Sequence, residues 1–328
     1  MKKKDYLYML VLTIIPLFMV FIVKSQHLLF GNSIDWFNQH VTLADALRHA
    51  IRSEGTIFPT YLSNLMSGVN IYHFSYYGTL RFDVLLGALL IHVKMVNIII
   101  FYQVFLMILT LIACYLFLRN HLKNRYLCFL MSLFTLLSAL FFQFHKQIMF
   151  VNYMPFLLLA LIFLKKRRFA LMSISLTLIY LHSFYYAIAC LAVIGWVAVG
   201  MLRKEDVRGR RHLLFQGVTS VILSLGMAMM LLLPTFMTIL EHKHSGEKAT
   251  TWVDLVMPNI KNLLYDPYGL GLTLLCLYLL VLGLRVREVR WQCALLLAGS
   301  LFGVASYVLN ATLYARGKIL MPFVPVVI

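Results

Sequence analysis

Charge is scarce in this chain. Only 12% of its 328 residues are Asp, Glu, Lys or Arg, about half the share found in soluble domains. Acidic residues are the rarest part of that set, 12 against 29 Lys and Arg, which leaves a formal charge of +17. Cysteine is limited to five positions (Cys114, Cys128, Cys190, Cys276, Cys293), all inside apolar runs and none in a C-x-x-C pair. They read as small buried hydrophobes, which excludes a disulfide scaffold or a cysteine metal site. There is no P-loop, HExxH, GxSxG or dinucleotide fingerprint, so neither an ATP-driven pump nor a familiar soluble chemistry is supported. No soluble element carries a basic face, so nucleic acid is not an expected partner. Apolar surface is what the chain has in abundance. It is 62% hydrophobic, with a mean hydropathy of +0.85. A soluble fold could not bury so much, and lipid admits helices that satisfy their own backbone. The expected class is an all-α polytopic membrane protein.

The spans follow from the apolar runs. Lys2, Lys3 and Lys4 precede a run from Tyr6 to Val23. It resembles a signal peptide, but it is long enough to span and no small-x-small site follows, so it predicts an uncleaved first helix. Further runs lie at roughly 95–118, 126–142, 153–164, 169–181, 184–202, 213–235, 267–284 and 291–309. Together they predict about 9–10 transmembrane helices in one integral membrane domain over residues 1–328. Val84 to His92 is too short to span and reads as interfacial or re-entrant. The last run begins near Ile319 and stops at Ile328, too short to span, from which a fragment or an interrupted reading frame is expected.

Basic connectors orient the chain. Arg119/Lys123/Arg125, Lys165 to Arg168, Arg203 to Arg211 and Arg285/Arg287/Arg290 occupy alternate connections. With the N-terminus they hold 18 of the 29 basic residues. The positive-inside rule then places the N-terminus in the cytoplasm, with multiple passes through the membrane. Residues 169–202 must cross twice between two such clusters, turning near His182-Ser183-Phe184-Tyr185-Tyr186. Two large loops fall outside, 24–94 and 236–266. In the first, Phe37, Val41, Leu43, Leu47, Ala50 and Ile51 recur at helical spacing and predict an interfacial helix.

Three constellations face that outer side. Asp35 follows the first helix, with Gln39 four residues on and His40 beside it. A carboxylate at the membrane plane next to Trp36 and Phe37 is a candidate general base, although an N-cap accounts for it equally simply. Tyr72, His73, Tyr76, Tyr77 and Arg81 precede the interfacial patch. His145, Lys146, Asn152 and Tyr153 belong to a second outer turn, and His182, Tyr185 and Tyr186 to a third. Cations at that depth suit a lipid phosphate and aromatics suit a sugar; an aromatic belt with snorkelling cations is the plainer alternative. His242 and His244 form a His-x-His pair, too few ligands for a metal site, and read as a solvated loop.

In order and spacing these pieces resemble the YfhO family of bacterial membrane proteins. The resemblance rests on Asp35 with Gln39, Leu47-Arg48, Ser53-Glu54-Gly55-Thr56-Ile57-Phe58-Pro59 and Gly68-Val69-Asn70. It continues through Tyr76-Tyr77, Val151-Asn152-Tyr153-Met154-Pro155, His182-Ser183-Phe184-Tyr185-Tyr186 and Leu233-Pro234-Thr235. Thr60-Tyr61 stands where a Trp is expected, and His182 where an Asn is usual. The resemblance implies a GT-C type fold and a glycosyltransferase using a polyprenyl-phosphate-linked sugar as donor. The acceptor would be a cell-envelope polymer of the teichoic acid kind. It implies Asp35 as base, with Gln39, His40, Tyr76, Tyr77, Arg81, His145, Lys146, Asn152 and His182 around the donor's phosphate and sugar. It implies no certain cofactor and leaves a divalent metal open. A transporter or flippase of a lipid-linked solute, and a non-catalytic envelope assembly protein, are the alternatives.

Overall fold

A computed structural model describes residues 3–25, 31, 35–62, 68–138, 148, 151–241, 250–260, 263–265, 271–312 and 315–327. Among the described residues the chain is all-α apart from a two-residue antiparallel pair, Tyr61–Leu62 with Val69–Asn70, and an isolated bridge between Leu264 and Leu272. Four helices among the described residues are long and apolar enough to cross a membrane. They are α1 (Lys3–Ser25), α4 (Met95–Arg119), α7 (Phe169–Leu202) and α8 (Val207–Glu241). A bent pair, α11 (Arg290–Leu301) and α12 (Gly303–Leu309), makes a fifth span if its two halves, turned by 84°, count as one. The polytopic class therefore holds; the described residues carry four or five candidate spans by length and composition, with α7 counted once, against the 9–10 expected. Several apolar runs make helices of only 10–13 residues: α5 (Arg125–Leu137), α6 (Met154–Lys165) and α10 (Leu274–Gly283). At 1.5 Å per residue these cover about 15–20 Å, short of the roughly 30 Å hydrocarbon layer.

Helix α4 is the centre. It packs against α1, α5 and α6 and buries Ile99, Leu106, Leu111 and Tyr115 almost completely. The outward faces of α1 and α8 are apolar instead of polar, with Phe18, Phe21, Phe215, Ile222 and Met230 all more than half exposed. Such faces are stable only in lipid.

Helix α7 is not one rod. Ser183, at φ −162° and ψ 78°, breaks its helical path. Arg167 before α7 is hydrogen-bonded to Glu205 after it. A straight 34-residue helix would hold those ends about 50 Å apart. The chain therefore reverses at Ser183, within the turn that the flanking basic clusters predict, and the two connectors meet at one end of the bundle.

At the opposite end of that hairpin the segment between α1 and α4 folds onto the protein. Helix α2 (Thr42–Glu54) carries the expected apolar stripe, but Leu43, Leu47, Ala50 and Ile51 are buried, chiefly against α3 (Phe82–Leu89). Protein covers this stripe. Asn70 accepts the Tyr72 backbone N–H at 2.9 Å and so starts a 3-10 helix, Ile71–Tyr77. That helix packs on α7 and α8, where Thr235 Oγ1 meets Ser75 Oγ at 2.7 Å. Helix α8 runs on past Pro234 to Glu241, into the stretch read as the second outer loop. A short helix, α9 (Trp252–Val256), follows under a capping box of Thr251 and Asp254.

The reversal is testable by cross-linking. In a chain whose native cysteines are replaced, Arg167→Cys and Glu205→Cys should join through a reagent about 10 Å long within one molecule, since a side-chain hydrogen bond already bridges these positions. Failure to join in the folded protein would restore a straight α7.

Candidate functional site

Asp35 leads into a π-helical turn, Trp36–Val41, and its side chain makes no capping bond there. The cap alternative is therefore not realised. Trp36 is fully buried and lies under Gly31, where φ is +105° and a Cβ would overlap the indole. The turn aims two side chains at one phenol. Gln39 Oε1 accepts the Tyr77 hydroxyl at 2.7 Å. His40 meets the Tyr77 ring edge-on at 5.4 Å. Burial, then the charge of Asp35, push the Tyr77 phenol above its ordinary pKa. The wide turn thus brings Gln39 and His40 onto Tyr77, with the Asp35 charge close enough to be felt there, in keeping with the functional use of such turns.

Tyr77 opens a row of aromatic rings. Tyr76 lies 5.5 Å from it, Tyr185 5.3 Å from Tyr76, Tyr186 5.0 Å from Tyr185 and Tyr153 4.8 Å from Tyr186. Lys318, on the 3-10 helix Gly317–Phe323, enters this row. Its Nζ is 3.2 Å from the Tyr76 hydroxyl and 5.3 Å from the centre of the Tyr185 ring. Nothing in the sequence separated Lys318 from an ordinary lysine flanking an apolar run.

Arg81 takes a different place from the one expected. Its Nε and Nη2 donate to the two carboxylate oxygens of Asp83 at 2.9 and 2.6 Å, and Nη1 donates to the Tyr77 carbonyl at 2.8 Å. Arg81 and Asp83 are 1% and 0% exposed. The guanidinium fork is thus matched within the protein. The fit is close: at Gly78, φ is +77° and a Cβ would fall 2.7 Å from the Arg81 side chain and 2.8 Å from the His182 carbonyl. Asp83, two residues along, was missed because a pair at that spacing shares no face of a helix, the element the apolar pattern suggests there.

His182 and Asn152 lie together in the core beneath the row. His182 Nδ1 is 2.8 Å from the Leu178 carbonyl, so it carries the proton; Nε2 then accepts from the Tyr102 hydroxyl at 2.5 Å. Asn152 Nδ2 donates to the His182 carbonyl at 3.0 Å. Both nitrogens of His182 are spent on the turn, and the ring is walled by Phe82 and Phe156. His145 and Lys146 lie outside the described residues, as do His242 and His244. Among the described residues no three His, Cys, Asp or Glu side chains converge as a metal site needs. Buried polar atoms without a hydrogen-bond partner among the described residues occur along the row: both nitrogens of His40, Asn152 Oδ1 and the Tyr153 hydroxyl.

Comparison with known proteins gives one finding. The family model described as "Bacterial membrane protein YfhO" matches residues 7–269 of this chain. Neither the curated proteins nor the solved structures give a match.

His40 makes the site's pH response predictable. Burial, with the Arg81 charge behind it, lowers the imidazole from 6.5 to about 3. The unfolded chain therefore takes up a proton below pH 6.5 that the folded chain refuses. Stability is full above that pH and falls as the pH drops toward 3, by up to about 1.4 kcal/mol per unit. Thermal unfolding in detergent between pH 7 and 5 should show a shallower slope for His40→Gln than for the parent. The buried pair gives a second outcome: Asp83→Ala should lower stability by about 3–5 kcal/mol, because Arg81 is left buried without a counter-charge. The same melts check it, and Arg81→Met/Asp83→Leu should recover most of the loss.

Proposed function

The chain belongs to the YfhO family of bacterial membrane proteins, and on that premise we propose that it is a membrane glycosyltransferase of the GT-C type. It moves a sugar from a polyprenyl-phosphate donor to a hydroxyl of a cell-envelope polymer of the teichoic acid kind. The observation that carries this reading is Gln39 and His40 set on Tyr77, with the Asp35 charge felt at the same phenol, at the head of an aromatic row that holds a buried lysine. A carboxylate, a sugar-sized aromatic lining and a cation are the parts that transfer from a lipid phosphate needs.

The roles follow from the chemistry. The acceptor hydroxyl gives its proton to the Asp35 carboxylate as its oxygen bonds to the anomeric carbon. The bond from that carbon to the lipid phosphate breaks, and the phosphate leaves with the electron pair. Lys318 faces the charge that develops there, with the Tyr76 hydroxyl beside it. Arg81 acts at one remove: held by Asp83, it fixes the Tyr77 carbonyl and the close turn at Gly78. Tyr76, Tyr77 and Tyr185 supply faces on which a sugar stacks. His182 and Asn152 hold the reversal of α7, and so position Tyr185 and Tyr186. In this reading the N-terminus and basic connectors face the cytoplasm, and Asp35 faces the outer side of the bacterial cell membrane.

Transfer from radiolabelled polyprenyl-phosphate sugars in proteoliposomes tests it. Asp35→Asn should lower the rate by about 100-fold or more, and Lys318→Gln by a similar factor, with both variants inserted and folded. An undiminished rate in Asp35→Asn rejects this base. A parent chain that transfers no sugar under conditions where an established transferase does so rejects the reaction.

A further inference from the structure

A second feature lies at the other end of the bundle, where the basic connectors meet. A cavity of about 540 Å³ opens among the starts of α1 and α5 and the ends of α4 and α6. One wall is charged, formed by Asp5, Arg119, Arg125 and Lys166. Another is apolar, formed by Leu159 and Ile162 of α6.

Asp5 organises the charged wall. It is 3% exposed and accepts hydrogen bonds from the Tyr115 hydroxyl at 2.7 Å and Arg125 Nε at 3.1 Å, with Arg119 Nε at 3.4 Å. Arg119 is held further through Nη1, which donates to the Leu122 and Lys123 carbonyls. One carboxylate thus anchors two guanidiniums, and with Lys166 the wall carries three cations against one anion. The terminal nitrogens of Arg125 and the ammonium of Lys166 have no hydrogen-bond partner among the described residues. Clustered cations at one depth, tied down by a buried acid, repel one another unless an anion joins them.

We propose that this cavity is a phosphate-binding site, occupied by the headgroup of an anionic membrane lipid. A phosphate has enough acceptor oxygens to bridge Arg119, Arg125 and Lys166 together, which a single carboxylate does not. The volume suits a phosphate with a glycerol-sized substituent. The adjoining apolar wall on α6 gives the acyl chains a path into the bilayer from the helix ends, the depth at which lipid phosphates lie. The site shares no residue with the Asp35 cluster, so it stands whether or not the chain transfers sugar.

The test measures the purified full chain's unfolding midpoint in neutral detergent, with added short-chain phosphatidylglycerol, phosphatidylcholine or inorganic phosphate. Phosphatidylglycerol should raise the midpoint in a saturable way, and phosphatidylcholine, whose choline cancels the phosphate charge, should raise it far less. Lys166→Gln should weaken the apparent phosphatidylglycerol affinity about fivefold, and Arg125→Gln about as much again. Lys166 is exposed and bears on no packing, so its variant folds even where loss of the Arg125 bond to Asp5 costs stability. A shift equally large with inorganic phosphate keeps the phosphate site but overturns lipid as its source. Equal shifts from both lipids, or a phosphatidylglycerol response unchanged in the variants, overturns the site itself.

Discussion

The reversal of α7 at Ser183 is the constraint on which the rest of the structure depends. Breaking a helix inside an apolar bundle strips backbone carbonyls of their partners, at a cost of about 1–3 kcal/mol for each one left bare. Here the bare group is the His182 carbonyl, and Asn152 answers it from the start of α6. The His182 ring secures the same turn through Leu178 and Tyr102. The turn is then pressed so closely by Gly78 that no side chain fits there. Three separate stretches of sequence are locked to one another at this point. Tyr185 and Tyr186, one helical step beyond the break, are brought up to Tyr76 and Tyr153 as a result.

That lock explains why a polar, aromatic segment between two spans is not a loose loop. Its helix α2 buries its stripe against α3, and its 3-10 helix lies on α7 and α8 through Ser75 and Thr235. The segment caps the hairpin, and the aromatic row forms along the contact. Buried donors and acceptors left without partners occur there too. Such groups are costly in a finished core and tolerable where a polar ligand completes them.

How much of this was legible follows from the physics of each signal. The α7 reversal was readable because two basic clusters flanking 34 apolar residues cannot lie at opposite ends of the bundle. Asp35 and Gln39 were singled out for a spacing of four that shares a helical face; Gln39 accepts the Tyr77 hydroxyl, and the Asp35 charge is felt at the same phenol. The number of spans was not readable: hydropathy marks α5, α6 and α10 as apolar but does not say where their helices end. The fate of the α2 stripe was equally hidden, since burial against lipid and burial against α3 demand the same residues. Arg81 looked like a ligand cation because its partner Asp83 is set by backbone conformation, not by any periodic pattern. Lys318 stood 242 residues from Tyr76 and more than 100 from Tyr185, and only tertiary folding brings them together.

The two buried acids show how one residue type serves opposite ends. Asp83 meets one guanidinium with both of its oxygens, and the charges cancel. Nothing further is attracted, so the pair acts as a brace for the turn beside it. Asp5 uses one oxygen, Oδ1, for the tyrosine and both arginines. It fixes the positions of two cations without neutralising both, and Lys166 adds a third. The stoichiometry of each cluster, more than its burial, decides whether it closes on itself or stays open to an anion. A chain with 12 acidic and 29 basic residues has few carboxylates to distribute. Spending a whole one on Arg81 marks that arginine as structural, and sharing one between Arg119 and Arg125 leaves the connector end electropositive.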